Sequence, residues 1–134
     1  MRPEKAVPET DRAPGAPHPR ENLSFVGHDA EERALAEAFG AGRMHHAWLI
    51  TGQRGLGKAT LAYRFARRAL GARQAGARPF DVDPEGPAVR QIAAQSHPDL
   101  FVLRRGLNDR GKPRREIAVD DARELGRFFS LAPS

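Results

Sequence analysis

Residues 52–59 read Gly-Gln-Arg-Gly-Leu-Gly-Lys-Ala, three glycines and a lysine set between two segments of different periodicity. Ahead of them, Ala47-Trp48-Leu49-Ile50-Thr51 is a continuous apolar run, too short for a helix and of the kind that forms a buried parallel strand. Behind them, Leu61, Ala62, Phe65, Ala66, Ala69 and Leu70 keep a 3.6-residue period, which predicts a helix from Lys58 until Gly71 ends it. A strand, a glycine turn and a helix in unbroken succession predict an α/β architecture with a parallel sheet at its centre.

The spacing of the turn is G-x-x-x-x-G-K, that of a phosphate-binding loop. Glycines let backbone N–H groups converge on a phosphate, because no Cβ blocks the approach and positive φ is allowed. The positive end of the following helix and the Lys58 ammonium complete an anion site. The expected phosphate contacts are Gly52, Gly55, Gly57, Lys58 and Thr60. A tight strand-to-helix turn with an incidental lysine is the plain alternative.

The pattern then departs from a working P-loop, where a Ser or Thr hydroxyl after the lysine ligates Mg²⁺. Ala59 has no such group, so no metal ligand is expected there. Thr60 is rotated by about 100° around the helix, and its hydroxyl at most reaches another phosphate. The acid that ends a buried strand and supports the metal is also missing. Residues 100–103, a second strand candidate, run into Arg104 and Arg105. Ile117 and Val119 alternate as an edge strand would, but Asp120 reads as the N-cap of a final helix carrying Leu125, Phe128, Phe129 and Leu131. The expectation is a nucleotide-shaped pocket with little or no hydrolytic competence.

The rest of the chain sorts by composition. Residues 1–20 hold five of the 11 prolines and almost no large apolar side chain, and residues 1–21 are expected to form a disordered tail ahead of one domain over residues 22–134. Leu23, Phe25 and Val26 make a short apolar patch, and Asp29 is placed as the N-cap of a helix whose buried stripe is Leu35, Ala36 and Phe39. Residues 71–86 lack periodicity and read as a loop. Pro87 opens a short helix closed by the His97-Pro98 dipeptide. With 40% hydrophobic and 29% charged residues and no apolar run of spanning length, the chain reads as soluble rather than membrane-embedded. No secretory signal opens it, so a cytoplasmic address is expected. Zero cysteines exclude disulfides, thiol nucleophiles and zinc sites built on Cys.

The formal net charge is +5, from 22 Lys and Arg against 17 Asp and Glu. Residues 104–115 alone carry six basic residues and one acid around Gly106, Asn108, Gly111 and Pro113, which reads as a basic hairpin tip. A second excess lies in residues 52–80, where Arg54, Lys58, Arg64, Arg67, Arg68, Arg73 and Arg78 occur without one acid. A solvated helix face is the default reading of that run, and a surface facing nucleic-acid phosphates is the competing one. His45-His46 lacks a third ligand at metal spacing, and His97 reads as a turn residue rather than a base.

Four segments together resemble a known family: Phe25-Val26-Gly27-His28; Gly42-Arg43-Met44-His45-His46-Ala47-Trp48-Leu49; Gly52 to Thr60 with Leu61-Ala62-Tyr63-Arg64-Phe65-Ala66; and Ser96-His97-Pro98-Asp99. They are similar to the delta-prime clamp-loader subunits of bacterial DNA polymerase III, of the AAA+ class. The resemblance implies a P-loop NTPase fold of AAA+ type, incomplete here, and a stator-like role in loading the sliding clamp onto primed DNA. It implies an accessory subunit with no polymerase active site, ATP or ADP held without hydrolysis if at all, and ATPase and delta subunits as partners, with primer-template DNA nearby. Many relatives carry four zinc-binding cysteines in the stretch matching residues 72–95, and none is present here, so no zinc is expected. The resemblance further implies that this is the N-terminal part of a longer protein, poorly soluble alone, with apolar faces exposed at Leu49, Phe128 and Phe129. The alternative from another class is a self-sufficient P-loop ATPase or nucleotide kinase, and a weaker third reading is direct DNA binding through residues 104–115.

Overall fold

The computed structural model describes residue 9 and residues 11–42, 47–53, 55–112 and 114–130. The His45-His46 pair, Arg43, Met44, Arg54, Pro113, Leu131 and residues 1–8 and 10 of the expected tail lie outside the described residues. Four helices follow in order: α1 (Asp29–Gly40), α2 (Lys58–Ala69), α3 (Pro87–Ala93) and α4 (Val119–Phe129). Contacts divide the chain into two units, one of Pro17–His97 and one of Met1–Ala16 with Pro98–Ser134.

The first unit holds α1, α2 and α3, with α1 and α3 each packed on α2. His28, in the left-handed region at φ 54°, occupies the cap of α1, so Asp29 is the first helical residue rather than the N-cap. Asp29, Glu31 and Glu32 place negative charge in the first turn, where the helix dipole favours it. α2 ends in a Schellman motif: Gly71 (φ 100°) donates to the Arg68 carbonyl and Ala72 to the Arg67 carbonyl at 2.9 Å. Pro87 opens α3 as expected, but the helix closes earlier than the His-Pro dipeptide. Gln95, at φ 57°, donates to Ile92 and Ser96 donates to Gln91, a second Schellman motif built on a non-glycine.

Two apolar clusters form the core of this unit. One gathers Leu35, Leu61 and Phe80 with Phe25, Ala36, Ile50 and Phe65, and the other gathers Ala72, Val82, Ala88 and Val89 with Leu23. Residues 72–83, expected as a loop, supply three of these buried side chains and fold back through an antiparallel bridge between Gln74 and Val82. The tail expected over residues 1–21 is packed at its C-terminal end: His18 and Arg20 are buried, and the Pro19, Arg20 and Asn22 carbonyls accept hydrogen bonds from Arg67.

The second unit contains α4, whose Phe128 ring lies 5.5 Å from that of Phe101. Val119 opens the helix behind an Ala118 cap, so residues 117–119 are not an edge strand and Asp120 sits inside the first turn. Residues 106–112 and Arg114 fold back as the expected hairpin tip, with Arg114 N–H donating to the Gly106 carbonyl at 2.8 Å and Asn108 N–H to the Lys112 carbonyl at 2.7 Å. The Asn108 side chain accepts from the Arg110 and Lys112 N–H groups and fixes the turn.

The expected parallel-sheet core is not seen among the described residues. Residues 47–51 and 100–103 carry no ladder there, and a parallel strand depends on hydrogen-bonded neighbours along its edges. Leu49 is correspondingly uncovered, 88% exposed, whereas Ile50, Leu100, Phe101 and Leu103 are half-buried. Phe129 is also exposed, while Phe128 is half-buried against Phe101.

Candidate functional site

The glycine loop joins the extended residues 47–51 to α2, and its backbone takes the conformations that require glycine. Gly52, Gly55 and Gly57 all have positive φ, at 150°, 89° and 88°. Gly57 is the N-cap of α2 in the left-handed region, and a Cβ there would stand 2.9 Å from the Phe25 ring. Around Gly55 the space is open on the side a Cβ would occupy. Lys58, the first residue of α2, turns its ammonium back across the loop and donates to the Gly52 carbonyl at 2.5 Å and the Gln53 carbonyl at 3.1 Å. Ala59 follows with no ligating atom, and Thr60 is half-buried on the first turn of the helix.

A pocket of about 390 Å³ opens beside this loop. Gly57 and Lys58 line it, whereas Gly52, Gly55 and Thr60 do not. Its remaining wall is largely apolar and partly aromatic, from Phe25, Trp48, Ile50 and Leu61, with His28 and Glu31 at its polar side. A cation in the wall of an apolar, ring-lined cavity suits a ligand with an anionic group and a flat apolar body. Sequence reasoning missed Phe25, His28 and Glu31 as pocket residues. The signal available was the juxtaposition of Phe25-Val26-Gly27-His28 with a helix start, which says nothing by itself about distance from Lys58.

Behind Phe25 lies a cluster of buried charge. The α2 face that turns inward carries Leu61, Arg64 and Arg67, so two arginines expected on a solvated surface lie in the interior, each no more than 1% exposed. Arg64 Nη2 donates to Glu32 at 2.7 Å and to Asp81 at 2.8 Å, while its Nη1 donates to the Leu23 carbonyl at 2.6 Å. Arg78 Nε donates to the other Glu32 oxygen at 2.6 Å, and its Nη2 pairs with the same oxygen. Arg78 also donates to the Phe25 carbonyl at 2.8 Å and the Gly27 carbonyl at 2.9 Å, and pairs with Asp29. Both guanidinium groups lie over the Phe25 ring, Arg64 at 5.6 Å and Arg78 at 5.0 Å from its centroid.

The electrostatics follow from this arrangement. Burial works to raise the Asp81 carboxyl, but the Arg64 hydrogen bond, the Arg78 N–H and both arginine charges outweigh it, holding the group below the usual carboxylate range. Arg67 is pushed down to about 10, chiefly by burial and then by the Arg64 charge, with Tyr63 opposing. It keeps its proton at neutral pH. Neither reading of the acid-free run therefore fits Arg64 or Arg67: Arg64 is paired inside the fold with Glu32 and Asp81, and Arg67 donates to three backbone carbonyls.

Comparison with known proteins bears on the same segments. The family described as "DNA polymerase III, delta subunit" matches residues 27–134. DNA polymerase III subunit delta' of Pseudomonas aeruginosa is 37% identical over 98 residues, which is 72% of this chain and 27% of that protein. DNA polymerase III subunit gamma of Buchnera aphidicola subsp. Schizaphis graminum is 37% identical over 49 residues, 37% of this chain and 14% of that protein. The chain thus spans about a quarter or less of the curated relatives it matches. No solved structure matches it. Helices are the elements described, no helix among them is long and apolar enough to cross a membrane, and the family match takes in the glycine loop, Lys58 and all four helices. On that coverage the chain belongs to the DNA polymerase III delta-subunit family, a family of clamp-loader subunits of the replication machinery.

Proposed function

We propose that the chain is a stator-like, delta-prime-type clamp-loader subunit that helps place the sliding clamp on primed DNA and does not itself hydrolyse ATP. The observation that carries this reading is a glycine loop with its lysine in place and an alanine where the metal-ligating hydroxyl belongs. In this reading the segment is part of a P-loop fold of AAA+ type, residues 22–134 being one domain. Gly52, Gly55, Gly57, Lys58 and Thr60 face the phosphates of ATP or ADP, and the apolar pocket beside Lys58 receives the nucleoside.

Without a hydroxyl at Ala59, nothing in the loop holds a metal against the β and γ oxygens. Charge developing on a transferred phosphoryl group then stays uncompensated, so binding survives while turnover does not. The partners proposed are the ATPase and delta subunits of the clamp loader, in the cytoplasm. Primer-template DNA is a further one, because the exposed turn carrying Arg110, Lys112, Arg114 and Arg115 is pinned by Asn108 and has the charge to meet a phosphate backbone.

ATP turnover is measured for the wild type against Lys58→Ala, together with co-purification of the protein with its host's clamp-loader subunits. The expected result is no turnover above the Lys58→Ala level and retention of the partner subunits. Absence of co-purification would overturn the reading. Turnover that Ala59→Thr leaves unchanged would favour a self-sufficient ATPase or nucleotide kinase.

A further inference from the structure

Phe25 stands at the junction of the two arrangements described above. Its ring lines the pocket and lies so close to Gly57 that no Cβ fits between them. Its face is covered by the Arg64 and Arg78 guanidinium groups, and its carbonyl accepts from Arg78. The neighbouring carbonyls of Leu23 and Gly27 are held by Arg64 and Arg78 respectively, so three backbone acceptors over residues 23–27 are tied to the same two cations. Glu32 receives both arginines on its two oxygens and is itself fully buried. A guanidinium with its donors fixed in a plane holds such acceptors in one geometry, which an ammonium cannot do.

We propose that Arg64 and Arg78, locked by Glu32 and Asp81, are positioning residues for the pocket: they set the Phe25 ring against the glycine loop and so determine how the nucleoside end of a ligand is received. This rests on the nucleotide reading given above. The phosphate end of the site depends on the loop and Lys58, which neither arginine touches. The nucleoside end depends on a ring whose backbone and face both rest on Arg78. Damage to the clasp should therefore lower affinity for a nucleoside diphosphate while sparing affinity for its phosphates alone. A purely structural role would lower both together or neither.

The test uses the full chain with ADP and, separately, inorganic pyrophosphate, each titrated calorimetrically into wild type and Arg78→Lys. Lysine keeps the positive charge beside Glu32 and Asp29 but cannot hold Glu32, Phe25 and Gly27 at once. Wild type should bind ADP more tightly than pyrophosphate, and Arg78→Lys should reduce that preference by about tenfold, the size expected for losing a charged hydrogen bond, with pyrophosphate affinity unchanged. An unchanged preference in folded Arg78→Lys overturns the proposal. Equal affinity of the wild type for both ligands overturns it too, while leaving the phosphate loop standing. Binding of neither ligand overturns the nucleotide reading and this inference with it. Should Arg78→Lys fail to fold, Phe25→Leu carries the test, since it removes the ring but keeps an apolar side chain, and the same loss of preference is expected.

Discussion

Glu32 is fully buried on the first turn of α1, and each of its oxygens meets a different arginine. Removing one member of such a set is costlier than the set is worth, because the remaining charges stay buried without compensation. Glu32→Gln should lower the unfolding free energy by about 3 kcal/mol or more, read from the urea midpoint. Asp81 gives this cluster a pH dependence of defined sign. Its carboxyl is depressed in the folded state, so its contribution is fully present above the ordinary carboxylate value of about 4 and is lost as pH falls through the lower folded value. Melting midpoints measured between neutral and acid pH should therefore fall less steeply for Asp81→Asn than for wild type. An equal slope in both proteins would remove Asp81 from the acid response.

At the scale of elements, the sequence patterns located the helices well and their surroundings poorly. α2 and α3 begin where Gly57-Lys58 and Gly86-Pro87 say they should, because those residues act locally. Asp29 and Asp120 are acids near a helix start, and local pattern alone cannot separate a cap from a first-turn residue. Arg64 and Arg67 read as surface because each of their partners lies far along the chain: Glu32 is 32 residues before Arg64, and the Arg20 carbonyl is 47 before Arg67. Residues 72–83 hid their role for the same reason, since Phe80 is buried by α1 and α2 side chains rather than by a periodic pattern of its own. Of the residues lining the candidate pocket, Gly57 and Lys58 could be named from the sequence, whereas Phe25 and His28 became visible only with the chain folded. The C-terminus of α3 offers a sharp local test. Gln95 holds the left-handed position that glycine takes after α2, so Gln95→Gly should stabilise the protein by about 1 kcal/mol, seen as a raised thermal midpoint. A lowered midpoint would mean that the Gln95 side chain has a role of its own.

At the scale of the molecule, the buried side chains among the described residues lie in the unit of Pro17–His97, with both apolar clusters and the arginine cluster. Phe80, 2% exposed, contrasts with Phe129, 74% exposed. Phe80→Ala should cost about 3–5 kcal/mol by leaving a cavity, while Phe129→Ser should change stability by no more than about 0.5 kcal/mol. Comparable losses from the two changes would mean that the second unit contributes far more to cooperativity than its described contacts indicate.

The reach of Lys58 to the Gly52 and Gln53 carbonyls has an energetic corollary for any anion arriving at the loop. An ammonium has three N–H donors and two are already engaged by these carbonyls, so an incoming phosphate meets one open donor and gains a second or third only by exchanging with the loop's own carbonyls. Exchange is nearly neutral compared with the strength of either bond alone. Beyond that first contact, lysine at this position would then add less to equilibrium affinity than its full donor count suggests.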